Sequence, residues 1–204
     1  MAYYEVMDSP LGAIFVGGSV EGVHRIDFLA EVRDEAAEVA RLERDAGEPA
    51  VRDPAAAAPV VAALRAYFEG RAPTAGGFAE FALPLAGRGT AFQRAIWQAL
   101  LAIPAGRTAS YGEVARAAGF AGAARATGAA IGRTPIAIVV PCHRVIGADG
   151  TLTGYASGLD RKRWLLAHEA GMTPGLAPQR QGQTQAASAS SVARPAAAVG
   201  AAYG

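Results

Sequence analysis

Ile136-Ala137-Ile138-Val139-Val140-Pro141-Cys142-His143-Arg144-Val145-Ile146-Gly147 is the stretch from which the rest of the chain can be read. Its first five residues, apolar and mostly β-branched, predict a short buried strand, and Pro141, with no N–H to donate, ends it. Beyond the proline, a thiol, an imidazole and a guanidinium stand side by side. Cys142 is the only cysteine among 204 residues, which excludes an internal disulfide and any Cys-rich zinc site. Two readings of it stand: a small buried hydrophobe, or a nucleophile whose thiolate is made by a neighbouring base. Adjacent residues of a strand point to opposite faces, so Cys142 and His143 cooperate only if Pro141 turns the chain or a water bridges them.

Downstream, Asp149-Gly150 is a turn pair, and Asp160 is a good N-cap for a last helix over residues 161–170, closed by Gly171. Glu169 falls in its final turn. The helix dipole disfavours an anion there, which invites a compensating partner. If Cys142, His143 and Glu169 converge, they form the generalised triad of nucleophile, base and orienting carboxylate, an arrangement that also fits a cysteine hydrolase. Upstream, Thr90-Ala91-Phe92-Gln93 is a capping box ahead of an apolar stripe, stopped by Pro104 and Gly106. Ser110-Tyr111-Gly112-Glu113 is a second. It opens a short helix to about Gly119, residues 120–122 turn the chain, and residues 123–133 form another helix. Two short helices across a Gly-containing turn resemble a helix-turn-helix, although many helix pairs with this spacing never touch DNA.

The front of the chain has a different character. Residues 3–7, 13–17 and 23–28 are β-type runs separated by turn residues, an antiparallel meander. Residues 31–45 read as a charged, Ala-rich helix or a long excursion, residues 54–70 as a helix with Pro54 in its first turn, and residues 78–85 as a strand returning to the sheet. Residues 172–204 carry no acidic residue and no period, and read as a disordered low-complexity tail.

The net charge of +1 conceals this division. Residues 1–89 hold 8 Arg against 14 Asp and Glu, whereas residues 90–171 hold 9 Lys and Arg against 4. An acidic front beside a basic middle makes the middle a candidate for a polyanion, though small regions often differ by several charges by chance. No apolar run approaches the ~18 residues of a membrane span, and the N-terminus lacks a basic segment followed by an apolar one, so a soluble, cytoplasmic protein is expected.

The Pro-Cys-His-Arg-Val motif at 141–145, with Ser110-Tyr111-Gly112, Ala123-Ala124-Arg125-Ala126-Thr127-Gly128, Gly154-Tyr155 and Leu165-Leu166-Ala167-His168-Glu169, closely resembles the O6-alkylguanine-DNA alkyltransferase (methylated-DNA-protein-cysteine methyltransferase) family. The likeness runs from about Leu83 to Ala170 and reappears at Ser9-Pro10-Leu11-Gly12. It implies an α/β (α+β) protein with a ribonuclease-H-like domain at 1–88, carrying a small antiparallel sheet, and a mainly helical DNA-binding alkyltransferase domain at 89–171. It implies single-turnover removal of an alkyl group from O6-alkylguanine, less efficiently from O4-methylthymine, in double-stranded DNA.

The same resemblance carries residue roles. Cys142 matches the alkyl acceptor, His143 (through water) and Glu169 the relay that makes it a thiolate, and Tyr111 the proton donor to the departing guanine. Arg125 matches the finger that replaces a flipped base, on a helix whose Ala124, Ala126 and Thr127 are small enough to approach DNA closely. Pro141, Val145, Tyr155, Ala156 and Ser157 match the pocket wall. Thr134 stands where the family usually has an Asn tying the recognition helix to the active-site strand, and Ala156 and Ser157 replace commoner Ser and Gly at the pocket rim. No metal, no cofactor, no membrane and a monomer are expected. Two alternatives remain: a non-enzymatic alkyl-lesion sensor, whose kind lacks the acceptor thiol, and a cysteine hydrolase.

Overall fold

The computed structural model describes residues 1–29, 33–70 and 89–171. The strand expected at 78–85, the junction placed at 88/89 and the tail at 172–204 lie wholly or partly outside them. The front meander is present as β1 (Ala2–Met7), β2 (Ile14–Ser19) and β3 (Gly22–Phe28), paired antiparallel in sequence. A short strand, β4 (Ala50–Arg52), joins β1 in parallel, so the sheet order is β3-β2-β1-β4 and one pairing of the sheet is parallel. Three residues between two prolines carry too little periodicity to announce it.

Every residue of β2 is buried. Alternation sends Ile14 and Val16 to one face and Phe15 to the other, so the strand is covered on both sides. On the Phe15 face lies α1 (Arg33–Ala46), the helical option for the charged segment, with Leu42 against Phe15. On the Ile14 face lies α2 (Pro54–Phe68). Asp53 caps α2 by accepting from Ala55 N and Ala56 N, and Pro54 occupies the first turn, where its missing N–H costs nothing. Val60, Val61, Leu64, Tyr67 and Phe68 form its buried stripe.

In the rear region, both expected capping boxes are complete, at Thr90/Gln93 for α3 (Ala91–Leu101) and Ser110/Glu113 for α4 (Tyr111–Ala117). α4 ends when Gly119 adopts φ +86°. Phe120 N then bonds Ala115 O and Gly119 N bonds Arg116 O, a closure that turns the chain into α5 (Ala124–Ile131). Trp97 of α3 donates its indole N–H to Ala130 O at 3.0 Å, tying α3 to the end of α5.

Residues 136–140 correct the expected strand. Only Ile136 forms a bridge, to Ile26 of β3, flanked by Ile26 N to Pro135 O (3.1 Å) and Ala137 N to Ile26 O (2.8 Å). The chain then coils: Ile138 has φ +68°, a strained value for a β-branched residue, and Val140 N bonds Ile136 O. All five side chains are buried, so the run satisfies its hydrophobicity by packing on every side rather than by extending a ladder. It leads through Pro141 into a 3-10 turn, Cys142–Arg144. There β6 (Val145–Ile146) pairs in parallel with β5 (Ala109–Ser110) and sets the start of α4 beside the cysteine segment.

The last helix, α6 (Leu159–Glu169), is preceded by Gly158 at φ +95°, and Asp160 sits inside its first turn, paired with Arg163 at 2.8 Å. Asp160 is therefore not the N-cap the sequence suggested. Residues of the sheet, α2, α3, α6 and the 136–140 run belong to one continuous apolar cluster. Arg161 clamps the two regions together: Nε donates to Leu11 O (3.0 Å), Nη1 to Ser157 O (3.1 Å), and its guanidinium lies 4.9 Å from the centre of the Phe28 ring. Among the described residues, no helix is long and apolar enough to cross a membrane.

Ile136→Ala should destabilise the protein by about 2–5 kcal/mol, the usual range for emptying a packed aliphatic site. Because the core is continuous, far-UV circular dichroism and tryptophan fluorescence should report one coincident transition; two separated transitions would contradict the shared core.

Candidate active site

Pro141 turns the chain, so Cys142 and His143 sit in a 3-10 turn rather than on opposite faces of a strand. Cys142 is 8% exposed. Burial pushes its thiol up to about 12 and Asp27 adds to the rise, while the Cys142 and His143 backbone N–H groups and the Lys162 charge pull the other way. At rest the group is therefore a thiol.

The base is held by an unusually well-supplied carboxylate. Glu169 Oε1 accepts from His143 Nε2, Arg144 Nη2 and Tyr67 OH, each at 2.8 Å, and Oε2 accepts from Arg144 Nε at 2.8 Å. Arg144 also bonds Ile103 O. Burial opposes the Glu169 charge, but the bonds from His143 and Arg144 outweigh it and hold the carboxyl well below the usual carboxylate range. The compensating partner that the helix dipole demanded is thus three residues from two other elements. A carboxylate only accepts, so Nε2 of His143 carries the proton and Nδ1 carries the lone pair. Nδ1 is buried and has no hydrogen-bond partner among the described residues. Burial holds His143 below its ordinary value against the pull of Glu169, so the ring is neutral and able to accept a proton.

Around this centre, Val145 and Pro141 are buried, Tyr155 is half-buried, and Ala156 is exposed at the rim. The Tyr155 hydroxyl is buried without a partner among the described residues. The wall is fixed by Lys162, the only lysine of the chain and 0% exposed. Its ammonium donates to Val145 O (2.5 Å), Thr153 O (2.6 Å) and Gly154 O (3.3 Å), stapling the segment after the cysteine to the segment before Tyr155. Three carbonyls around one nitrogen suit a tetrahedral ammonium and not a planar guanidinium. Burial lowers its pKa to about 8.

Tyr111, at the start of α4, reaches the same wall, its hydroxyl donating to Thr153 O at 3.1 Å. Gly128 of α5 packs beside the Tyr111 ring, where an added Cβ would be in ordinary contact at 3.5 Å. Ala124, Arg125 and Ala126 are exposed on the outer face of α5, as a DNA-facing role requires. Thr127 is not. It is fully buried on the inner face, which corrects its placement among the DNA contacts. The Thr134 hydroxyl donates to Ile131 O at 2.7 Å, closing the end of α5; among the described residues it makes no side-chain bond to the cysteine segment, so the tie expected of an Asn is not reproduced.

Sequence reading brought together Cys142, His143, Glu169, Tyr111 and the pocket wall, but gave no part to Arg144, Lys162 or Tyr67. A signal existed for Lys162: one lysine among eighteen arginines marks a position where arginine does not serve.

Two protein-family models match the chain: the 6-O-methylguanine DNA methyltransferase ribonuclease-like domain over residues 2–85 and the 6-O-methylguanine DNA methyltransferase DNA-binding domain over residues 91–171. The chain is 43% identical over 172 residues to the methylated-DNA--protein-cysteine methyltransferase of Methanosarcina acetivorans, covering 82% of this chain and 97% of that protein. It is 44% identical over 174 residues to the protein of the same name from Mycobacterium bovis, covering 85% and 96%. Its fold matches the crystal structure of Mycobacterium tuberculosis OGT in complex with DNA with a TM-score of 0.70 at 42% identity, over 85% of this chain and 96% of that one. With both halves matched and the site assembled at the Pro-Cys-His-Arg-Val turn, the chain belongs to the 6-O-methylguanine DNA methyltransferase family.

Proposed function

We propose that this protein repairs DNA by direct reversal, moving the methyl or other alkyl group from O6 of guanine, and less efficiently from O4 of thymine, in double-stranded DNA to Cys142, once per molecule. The observation that carries the reading is the lone thiol beside an imidazole whose far nitrogen is locked to a buried, arginine-neutralised carboxylate. A sensor that only binds lesions needs neither the thiol nor the relay. A hydrolase needs a hydrolysable intermediate, and an S-alkyl cysteine is a thioether.

An alkyl carbon inside a stacked, paired base is beyond the reach of a buried thiol, so the nucleotide is rotated out at a cost of a few kcal/mol, less for a damaged pair. Arg125 supports this role from the exposed face of α5, where its planar cation occupies the vacated stack and stays near the phosphates. The first turn of α5 has no side-chain cap, which leaves backbone N–H groups for the phosphate backbone. The flipped base enters between Tyr111 and the Tyr155–Ser157 rim. His143 Nδ1, through one water, takes the thiol proton, and Glu169 stabilises the imidazolium. The thiolate attacks the alkyl carbon, the new S–C bond forms as the C–O6 bond breaks, and the departing guanine takes a proton at N3 from Tyr111. The protein acts as a monomer, and the excess of five positive charges over residues 90–171 makes its DNA binding salt-sensitive and largely independent of sequence.

Incubation with an oligonucleotide containing O6-methylguanine, followed by intact-mass measurement, should add one methyl group, on the peptide containing Cys142, and nothing to Cys142→Ala. Tight binding to the O6-methylguanine oligonucleotide with the protein left unmodified would favour the sensor, and thiol-dependent product release over many cycles the hydrolase. Arg125→Ala should slow repair in duplex DNA by at least about tenfold, about 1.4 kcal/mol of the few kcal/mol that flipping costs, and leave reaction with free O6-benzylguanine nearly unchanged. Equal losses on both substrates would remove Arg125 from the flipping step.

A further inference from the structure

We propose that Tyr67, on α2 of the front region, is a positioning residue of the alkyl-transfer relay: by sharing Glu169 Oε1 with His143, its hydroxyl sets the proton affinity of the imidazole. The inference rests on the proposed reading of the site. Tyr67 lies 102 positions before Glu169, and its hydroxyl donates to Oε1 at 2.8 Å, the same oxygen and the same distance as His143 Nε2. The ring is wedged in place: it meets Phe68 and His168 edge-on, at centroid separations of 5.5 and 5.2 Å, and its own carbonyl contacts His168 Nε2 at 2.5 Å.

Oε1 serves three donors, His143 Nε2, Arg144 Nη2 and Tyr67 OH, and its charge is divided among them. The Tyr67 bond makes Oε1 a weaker acceptor toward His143, so the imidazole gains a proton at Nδ1 less readily and stays neutral, with a lone pair for the thiol proton. Burial and the facing Glu169 charge raise the Tyr67 pKa well above the usual phenol, so the hydroxyl stays a donor at any pH the protein meets. The other charged groups acting on His143 are Arg144 from the same turn and Lys162 from α6, while Asp27 from β3 and Lys162 act on Cys142. None of these reaches Oε1 from the front region. The ribonuclease-like half therefore supplies a group to the relay in addition to a packing surface.

The test is the pH–rate profile of methyl transfer from an O6-methylguanine duplex, by intact mass, for the full chain and for Tyr67→Phe, which keeps the ring and removes the hydroxyl. With one donor lost, Glu169 draws the His143 proton more strongly, and the acidic limb should move up by about one pH unit, the scale of one hydrogen bond to a charged group. The loss is then larger at pH 6 than at pH 8, and affinity for unmodified duplex is unchanged. A 3-fluorotyrosine at position 67, a stronger donor of nearly the same size, should move the limb down, and it keeps the test open if Tyr67→Phe folds poorly. A limb that stays in place in either variant, at wild-type rate per folded molecule, overturns the inference and leaves Tyr67 as packing. If the unaltered protein accepts no methyl group at all, the reading of the site fails first, and this inference with it.

Discussion

A single buried carboxylate organises this molecule. Glu169 closes α6, at the end where the helix dipole repels a negative charge, and it is removed from water. Such a group is tolerable only when its lone pairs are filled and its charge is met. The fold meets both demands by bringing Arg144 and His143 from the 3-10 turn and Tyr67 from α2 to the same two oxygens. Satisfying this charge fixes the turn against α6 and α2 against both. The same bonds that neutralise the anion choose the tautomer of His143, so the structural need and the chemical one have a single solution.

Rigidity around that centre comes from two further cations used as staples. Arg161 holds the Leu11 turn of the front region to Ser157, and Gly12, at φ +101°, supplies a backbone conformation of that turn that other residues rarely adopt. Lys162, the next residue, holds the other side of the pocket through three carbonyls. Adjacent positions on one helix thus hold the front turn and the segments before Tyr155 and after Cys142. In the proposed reaction, walls fixed in advance favour binding of the extruded base, because binding then orders little.

Most local signals were legible: both capping boxes, the meander, the helix-turn-helix spacing and the stripe of α2 follow from nearest-neighbour chemistry, whereas the N-cap read at Asp160 falls two residues earlier, at Gly158. The motif around Cys142 was legible because its residue types are specific. Residues 136–140 were not, since periodicity cannot distinguish a buried strand from a buried coil when every side is packed, and only the bridge between Ile26 and Ile136 decides. Thr127 was misplaced because its neighbours Ala124, Arg125 and Ala126 do face outward, and an eight-residue helix must bury some of its small residues too. Tyr67 read as part of an apolar stripe, which it is; its hydroxyl finds a partner 102 positions away, and no local pattern encodes that. Arg144 entered the reading only as a member of the motif and Lys162 only as one charge of the basic segment, because their partners, Glu169 and the Val145 and Thr153 carbonyls, lie 9 to 25 positions away.

Cys142 rests as a buried thiol, and the proposed transfer depends on His143 taking its proton. One cysteine per chain gives one resonance in protein labelled with 13C at cysteine Cβ, so its ionisation can be followed by NMR without ambiguity. This signal should show no titration between about pH 6 and 10 in the folded, unliganded protein, whereas the unfolded chain should titrate at an ordinary cysteine value near 8.5. A midpoint near neutral pH in the folded protein would show a thiolate already formed at rest, and would contradict it.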